Sequence, residues 1–261
     1  MKTTLDGDIL RSALSAVRAK SPLVHNITNY VVMNNSANAL LAIGASPVMA
    51  HWTEEMEEMT SIAGALVINI GTLDERWVEA MLAAGGVALR KGVPMVLDPV
   101  GAGATSQRTA VALRIIEECK PKVIRGNGSE IVALVSANIK SKGVDSSLSS
   151  HDALSAAQSL ARSTGAVVVI SGEVDYITDG TVTHTVEGGD AIMTSVTGMG
   201  CTSTALVGAF LAVESDALVA ATSAMAVMSL VGERAARCSK GNGSMQANFL
   251  DELYNLTPEK I

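Results

Sequence analysis

Residues 94–99 read PMVLDP, an apolar run without alternation that ends at a carboxylate and a proline. Continuous apolar runs are typical of strands in a parallel sheet covered on both faces, whereas strands with one wet face alternate. Two further runs have the same character, ALVIN at 65–69 and AVVVIS at 166–171. These stretches predict a buried, mostly parallel sheet.

Short strand-like runs alternate with longer helical patterns on both sides of this stretch. We predict strands over 23–27, 47–50, 65–69, 94–99, 122–125 and 166–171, and helices over 7–19, 29–43, 53–62, 74–91, 105–119 and 151–164. This βαβ rhythm predicts a doubly wound α/β fold with helices on both faces of the sheet.

The rhythm changes after residue 171. Two alternating runs flank Asp179-Gly180 within 176–186, which predicts a β-hairpin. Helices are predicted to follow over 201–214, 216–238 and 244–256. Because no linker or internal repeat divides the sequence, we expect a single domain over residues 1–261. The polar stretch 136–150 is expected to form a mobile surface loop.

The composition excludes several classes of function. A net charge of −7 and an aromatic content of 3% argue against a nucleic-acid-binding face. The three cysteines, Cys119, Cys201 and Cys238, are too far apart for a disulfide framework or a zinc site, which favours a reducing cytoplasm. The N-terminus lacks the apolar core of a signal peptide. Polar residues within and beside the apolar stretch 217–232 favour a buried helix over a membrane span.

The stretch 195–212, SVTGMGCTSTALVGAFLA, has two glycines directly before an apolar helical run. Glycines let backbone N–H groups turn toward one point, and the first turn of a helix adds unpaired donors and a positive dipole end. Such a turn can hold a phosphate. It is neither a Walker loop nor the dinucleotide fingerprint, and a glycine turn that merely starts a buried helix has the same pattern.

Two other segments carry polar residues after predicted strands. Asp98 ends the strand at 94–99, and the segment 125–130, RGNGSE, follows the next strand. Open α/β sheets bind ligands at the carboxyl ends of their strands, and Asn127 and Glu130 are spaced to share one face of a helix. Each residue also has a plain alternative, since Asp98 and Asn127 could cap helices and Glu130 could pair with a helix dipole.

The segments DPVGAGA, NGSE and TGMGC, in this order, resemble the ribokinase-like superfamily of small-molecule kinases. The resemblance narrows to the hydroxyethylthiazole kinase family on six stretches: SPLVHNITNYVVMNNSANALLAIGASPVMA (21–50), ALVINIGTL (65–73), PMVLDPVGAGAT (94–105), VIRGN (123–127), ISGEVD (170–175) and TGMGC (197–201). It implies transfer of phosphate from ATP, with Mg²⁺, to the primary alcohol of 4-methyl-5-(2-hydroxyethyl)thiazole, a salvage step toward thiamine diphosphate. It also implies a homotrimer with active sites at the subunit interfaces.

The resemblance assigns residues to the metal and the nucleotide. It implies that the carboxylates of Asp98 and Glu130 hold Mg²⁺, in part through water, because this ion keeps much of its hydration shell. Arg125 matches a position that contacts ATP, and its fixed guanidinium fork suits phosphate oxygens. Ser171 and Asn127 are the further ATP candidates, although Ser171 without the family would be an ordinary serine at a strand end.

The resemblance also assigns the catalytic turn and the acceptor pocket. The backbone N–H groups of Gly198, Gly200 and Cys201 are expected to form an anion hole, with Gly198 also bordering the acceptor alcohol. Met49 and Asn26 are expected at the thiazole, where a polarizable thioether suits an aromatic ring; Met49 could otherwise be plain core. Cys201 stands where the wider superfamily usually has a catalytic aspartate, and we expect it to assist only modestly, because the transition state of phosphoryl transfer is loose.

Three other functions compete with this interpretation. A kinase of the same superfamily could act on hydroxymethylpyrimidine or a pyridoxal-type alcohol, against which the stretch 21–50 argues. A nucleotide-dependent dehydratase would have an aspartate where this chain has Cys201. A non-catalytic nucleotide-binding protein would lack the carboxylates of Asp98 and Glu130. Two departures from the family, Met199 in the glycine turn and Gly128 before Ser-Glu, remove no polar group, but Met199 could narrow the acceptor pocket.

Overall fold

The structure, a computed structural model, describes residues 1–141 and 153–261. Within these residues the strands are β1 (Lys2–Thr3), β2 (Leu23–Ile27), β3 (Ser46–Val48), β4 (Ala65–Asn69), β5 (Met95–Asp98), β6 (Val123–Asn127), β7 (Val167–Ser171), β8 (Val174–Thr178) and β9 (Thr183–Glu187). The helices are α1 (Gly7–Lys20), α2 (Met33–Ile43), α3 (Met56–Ile62), α4 (Glu75–Lys91), α5 (Ser106–Cys119), α6 (Gly128–Ser141), α7 (Ala153–Thr164), α8 (Met199–Leu211), α9 (Ala217–Cys238) and α10 (Asn242–Asn255).

The described strands form one sheet in the order β1-β9-β8-β7-β6-β5-β4-β2-β3. The six strands from β7 to β3 pair in parallel, and β8, β9 and β1 extend the sheet in antiparallel fashion. The predicted mostly parallel α/β sheet with helices on both faces is therefore confirmed. The carboxyl ends of β2 to β7 all lie at one edge, where sheets of this kind bind ligands.

Each face of the sheet is covered by a different set of helices. One hydrophobic core contains buried residues of α1, α2, α8, α9 and α10, and the other contains buried residues of α3 to α7. The connection after β2 lies on the first face and the connection after the neighbouring strand β4 lies on the second. Because the chain leaves these two strands in opposite directions, a crevice opens between their carboxyl ends.

Capping residues fix where several helices begin. The side chain of Asp74 accepts a hydrogen bond from the backbone of Trp77 at the start of α4, and Thr105 accepts one from Arg108 at the start of α5. Asp216 accepts from two backbone N–H groups at the start of α9. Each cap satisfies donors that have no partner inside the helix.

The predicted hairpin is confirmed, with β8 and β9 pairing in antiparallel fashion on either side of Asp179-Gly180. The Asp179 carboxylate accepts from the backbone N–H groups of Thr181 and Val182, and Gly180 has φ of 95°, in the left-handed region that glycine favours. The two residues that predicted the hairpin, Asp179 and Gly180, therefore also form its turn.

Two predictions for the middle of the chain differ from the structure. No helix is predicted over 128–141, yet α6 occupies it, because Ile131, Leu134 and Val135 pack into the second core. The stretch 136–150, predicted as a mobile surface loop, is helical as far as Ser141. The rest of that stretch, 142–150, lies outside the described residues.

The apolar helix α9 is buried in the fold. By length and composition it could cross a membrane, but 72% of its apolar window is inside the protein. It packs against α8 and α10 and reaches β9. The predicted buried helix in this region is confirmed.

Candidate active site

A row of polar side chains lies under α8, at the ligand-binding edge of the sheet. In each of five parallel strands, a valine of the first core is followed two positions later by a polar residue. Since side chains alternate along a strand, the polar residue shares the face of its valine, which is the face that α8 covers. The polar residues of the row are Asn26, Asn69, Asp98, Arg125 and Ser171.

Asp98 is the centre of this row and is 1% exposed. Its Oδ2 accepts hydrogen bonds from Asn69 Nδ2 at 2.9 Å and from Thr204 Oγ1 at 2.7 Å. Its Oδ1 has no hydrogen-bond partner among the described residues. Burial raises the pKa of the Asp98 carboxyl to about 6, against the lowering effects of Arg125 and Thr204.

Asn69 links Asp98 to the loop after β2. Its Oδ1 accepts from Asn29 Nδ2 at 2.8 Å and from the Gly71 backbone at 2.9 Å. Asn29 Nδ2 also lies 3.6 Å from Cys201 Sγ. Asn69 therefore ties the crevice between β2 and β4 to the start of α8.

Arg125 lies between Asp98 and the strand β7. Its Nη1 is 3.8 Å from Asp98 Oδ2, and its Nη2 donates to Ser171 Oγ. A Cβ placed on Gly200 would lie 2.8 Å from Arg125 Nη1, so the first turn of α8 approaches the guanidinium closely. Arg125 is 8% exposed. Its charge also acts on Asp175: burial raises the pKa of the Asp175 carboxyl to about 6, and the positive charge of Arg125 opposes this rise.

The glycine turn before α8 leaves backbone N–H groups unpaired at the start of the helix. Gly198 has φ of 84° and precedes the helix, and a Cβ there would lie 2.6 Å from Val32 Cγ1. The first intrahelical bond is donated by Thr202 to the Gly198 carbonyl. The three N–H groups before it, from Met199 to Cys201, have no acceptor inside the helix and carry the positive end of its dipole.

Cys201 is half-buried beside this turn. Burial, and then the negative charge of Asp98, raises the pKa of its thiol to about 11. The thiol is therefore neutral at neutral pH and holds its proton. This state agrees with a modest role and not with a standing general base.

Glu130 and Asn127 hold the start of α6 against the loop after β5. Glu130 Oε1 accepts from the Gly101 backbone at 2.8 Å, and Oε2 accepts from the Asn127 backbone at 2.8 Å. Asn127 Oδ1 in turn accepts from the Glu130 backbone at 2.9 Å. These are the helix-capping contacts that the sequence left open as an alternative. The Glu130 charge also lies close enough to raise the pKa of Asp98.

A cavity of about 960 Å³ opens beside this centre, between the first turn of α8 and the strands β7 to β9. Of the predicted site residues, Arg125, Ser171 and Gly200 line it. Its walls also carry four acidic residues and four methionines, Glu173, Asp175, Glu187, Asp190, Met193, Met199, Met225 and Met228. A volume of this size accommodates a nucleotide or a drug-sized ligand.

The structure places the two predicted thiazole residues on neighbouring strands, at the positions that directly follow the paired residues His25 and Val48. Asn26 is buried in the row, where its Nδ2 donates to the Val24 carbonyl and its Oδ1 has no partner among the described residues. Met49 directly follows β3, the outermost strand, which is three positions from β5. At about 4.8 Å per strand it lies on the order of 14 Å from Asp98. Met49 is therefore three strands away from the carboxylate at the centre of the row.

The segment that carries Met49 is held firmly. His25 Nε2 donates to the Ala50 carbonyl at 2.9 Å, and its Nδ1 accepts from Thr60 Oγ1 at 3.1 Å. Because the carbonyl can only accept, Nε2 must carry the ring proton. Burial lowers the pKa of His25, so the ring stays neutral. His51 stacks on Trp77 with ring centroids 4.1 Å apart.

Sequence reasoning missed two residues of the centre, Asn69 and Thr204. Asn69 ends the run ALVIN as Asp98 ends PMVLD, so its place at the end of a buried strand was a usable signal. Thr204 lies inside an apolar helix and carries no such signal.

Among residues 1–141 and 153–261, no group of three or more His, Cys, Asp or Glu side chains is arranged to hold a metal ion. A site with few protein carboxylates is the usual arrangement for Mg²⁺, which takes its remaining ligands from water and substrate phosphates.

A parallel sheet with helices on both faces and an open helix turn at the carboxyl ends of its strands is the architecture of the ribokinase-like fold. The architecture is similar to that of a ribokinase-like superfamily protein of Enterococcus faecalis V583, with a TM-score of 0.65, 15% identity, and coverage of 97% of this chain and 96% of that one. The chain belongs to the Hydroxyethylthiazole kinase family, whose sequence model matches residues 14–259.

Two relatives support the family assignment. The hydroxyethylthiazole kinase of Leptospira biflexa is 56% identical over 248 residues, which cover 95% of this chain and 93% of that protein. The structure of the hydroxyethylthiazole kinase of Pyrococcus horikoshii OT3 superimposes with a TM-score of 0.89 at 44% identity, covering 96% and 94% of the two chains.

Proposed function

We propose that this protein transfers the γ-phosphoryl group of ATP to the primary alcohol of 4-methyl-5-(2-hydroxyethyl)thiazole, a salvage step toward thiamine diphosphate. The observation that carries the reaction is the open first turn of α8, set beside Arg125 and over Asp98. The thiazole is the proposed acceptor because the relatives are named hydroxyethylthiazole kinases, and one of them is 56% identical to this chain.

Charge neutralisation does most of the work in this proposal. The alcohol oxygen attacks the γ-phosphorus, the bond from the γ-phosphorus to the oxygen that bridges to the β-phosphate breaks, ADP leaves, and the alcohol proton passes to solvent. The N–H groups from Met199 to Cys201 and the guanidinium of Arg125 face the negative charge of the transferring group. Such positioning and electrostatic stabilisation are what phosphoryl transfer chiefly requires.

The residues present fit a magnesium ion that arrives with the nucleotide. The unpartnered Oδ1 of Asp98 is a hard oxygen donor of the kind that Mg²⁺ prefers. Glu130 is the second proposed carboxylate, acting through water, because each of its oxygens already accepts a backbone hydrogen bond. The bound ion would neutralise phosphate charge.

The nucleotide is proposed to occupy the cavity lined by Arg125 and Ser171, with Asn127 at its edge. The thioethers on the cavity wall suit a purine ring, because a polarizable sulfur packs well against an aromatic face. The alcohol would enter from the opposite side of the α8 turn, past Gly198 and Asn26.

A homotrimer with active sites at subunit interfaces completes the proposal. The surface near Met49 is apolar, with Tyr30, Val31 and Trp52 exposed by 63%, 64% and 67%. Tyr30 and His51 both contact Trp77, so this surface is continuous with the Met49 segment. Exposed apolar patches of this kind mark protein interfaces. In the proposed trimer a second copy seats on this surface, so that the active site lies at the subunit interface.

The proposal also includes a single kinase domain over residues 1–261 in the cytoplasm. All the described strands belong to one sheet, with β1 at one edge and β3 at the other, which supports the single domain. All three cysteines are free thiols, in keeping with a reducing compartment.

Product formation with a panel of alcohols tests the function. The purified protein, ATP and Mg²⁺ are incubated with the hydroxyethylthiazole, hydroxymethylpyrimidine or pyridoxal, and ADP and the phosphorylated product are measured, with a control lacking acceptor. We expect ADP and product with the thiazole alone. ADP with another acceptor would retain the chemistry and overturn the assigned pocket, and intact ATP in every arm would overturn the kinase proposal.

Replacement of Cys201 tests the modest role of its thiol. We expect Cys201→Ala to keep turnover within about 100-fold of wild type, well short of the roughly 1,000-fold loss that marks an essential electrostatic group. The reason is that a thiol with a pKa near 11 does not act as a standing base. Turnover is measured by ADP release, with melting temperature as the folding control. Cys201→Asp introduces a carboxylate base at the same position. A larger loss of turnover in Cys201→Ala, together with turnover near that of wild type in Cys201→Asp, would contradict the modest role.

A further inference from the structure

We propose that Asn69 and Thr204 are positioning residues that orient Asp98, so that Oδ1 and not Oδ2 meets the metal ion of the nucleotide complex. The inference rests on the proposed function, because it takes Asp98 as a carboxylate that serves Mg²⁺. It concerns two side chains that do not themselves touch the metal.

The two donors use the same oxygen of Asp98. Asn69 Nδ2 and Thr204 Oγ1 both donate to Oδ2, at 2.9 and 2.7 Å, while Oδ1 has no partner among the described residues. Asn69 is 1% exposed and Thr204 is fully buried. Because the terminal torsion of an aspartate has a broad energy profile, bonds of this kind decide which oxygen is left without a partner.

The direction of the Asn69 amide is fixed by its other contacts. Its Oδ1 accepts from Asn29 Nδ2 and from the Gly71 backbone. A flipped amide would set its NH₂ group against these two donors and its carbonyl against the Asp98 carboxylate. The observed orientation of the Asn69 amide is therefore the one that satisfies its three partners, Asn29, the Gly71 backbone and Asp98.

Thr204 connects the carboxylate to the anion hole. It lies one turn after Gly200 on α8, and its hydroxyl is also 3.3 Å from the Gly200 carbonyl. The same side chain therefore contacts the strand that carries Asp98 and the turn that faces the phosphate. Outer-shell partners of this kind orient metal ligands, and their loss typically weakens metal binding about 10- to 100-fold.

Binding of Mn²⁺ in the absence of turnover tests the inference. Free Mn²⁺ is titrated by EPR against the full-length protein saturated with a non-hydrolysable ATP analogue. We expect Thr204→Val, which keeps the shape and loses the hydroxyl, to weaken Mn²⁺ binding by about tenfold or more. Thr204→Ser, which keeps the hydroxyl, should remain within about twofold of wild type on the same scale.

Thr222→Val is the matched control. Thr222 is also fully buried in a helix, and its hydroxyl donates to the Leu218 carbonyl at 2.7 Å, away from Asp98. The same substitution there should leave Mn²⁺ binding unchanged. If Thr204→Val does not fold, the pair Thr204→Ala and Thr204→Ser repeats the comparison, because these two variants differ by the hydroxyl alone.

Each outcome is decisive. Equal Mn²⁺ binding by Thr204→Val and Thr204→Ser would overturn the inference, as would equal weakening by Thr204→Val and Thr222→Val. Failure of the wild-type nucleotide complex to bind Mn²⁺ would overturn both the inference and the metal role of Asp98. ADP release with the thiazole, measured separately, decides the proposed function, so the two failures are distinguishable.

Discussion

Turnover of the Asp98→Asn variant is expected to fall by about 1,000-fold or more, the scale of loss when a pre-organised electrostatic group leaves an active site. The amide oxygen can accept from Asn69 and Thr204 as Oδ2 does now, which turns the NH₂ group to the position of Oδ1. A hydrogen-bond donor then faces the magnesium-nucleotide complex where an anionic acceptor stood. ADP release under saturating ATP and thiazole measures the effect.

Asp175→Asn is the matched control for this prediction. Asp175 is a second buried carboxyl whose pKa is raised to about 6 and which interacts with Arg125, but it accepts its hydrogen bond from the Gly172 backbone. We expect it to lose less than about tenfold in turnover, because Asp175 lines the nucleotide cavity but is not one of the two proposed magnesium carboxylates. A folded Asp98→Asn protein that keeps more than about a tenth of wild-type turnover would remove Asp98 from the reaction.

Gly198→Ala is expected to lower turnover by about 100-fold or more, because a displacement of about 1 Å at a positioned group is enough for such a loss. Gly198 has φ of 84°, which costs a residue with a Cβ about 1 kcal/mol. In addition, the new methyl group would lie 2.6 Å from Val32 Cγ1, so the turn must move away from α2. That movement takes the N–H groups of the anion hole with it. Steady-state kinetics of ADP release, together with a thermal melt, measures both effects.

A second glycine distinguishes the effect of the backbone strain from the effect of the displaced α8 turn. Gly165 also has a positive φ, of 73°, but a Cβ there meets no atom within 4 Å. Gly165→Ala should therefore lose stability and keep turnover. Equal turnover of the two folded variants would show that the position of the α8 turn does not limit the reaction.

The strands were predictable because both faces of the sheet are buried. Continuous apolar runs mark β4, β5 and β7 within one residue of their observed bounds. Helix α6 was not predictable in the same way, because GNGSE at its start has the composition of a turn. Packing of its apolar side on the sheet decides the helix, and that contact is not local in the sequence.

The polar centre was only partly predictable for a similar reason. Asp98, Arg125 and Ser171 each end a recognisable strand, and the sheet edge brings them together. Thr204 reaches Asp98 across 106 positions of sequence, and this contact exists only because α8 crosses β5. The raised pKa of Cys201 likewise depends on burial and on the charge of Asp98, which come from the fold and not from the neighbouring sequence.

The unequal covering of the two sheet faces has a consequence for synthesis on the ribosome. The second core is closed by helices that end at Thr164, whereas the first core needs α8, α9 and α10, which begin at Met199. The ribosome releases the N-terminal part of the chain first. A nascent chain that ends at the hairpin therefore leaves much of one apolar face of the sheet uncovered, and such a state is prone to aggregation. The glycine turn and Thr204 emerge with the covering helix α8. The candidate active site is thus completed by the segment that also covers the exposed core.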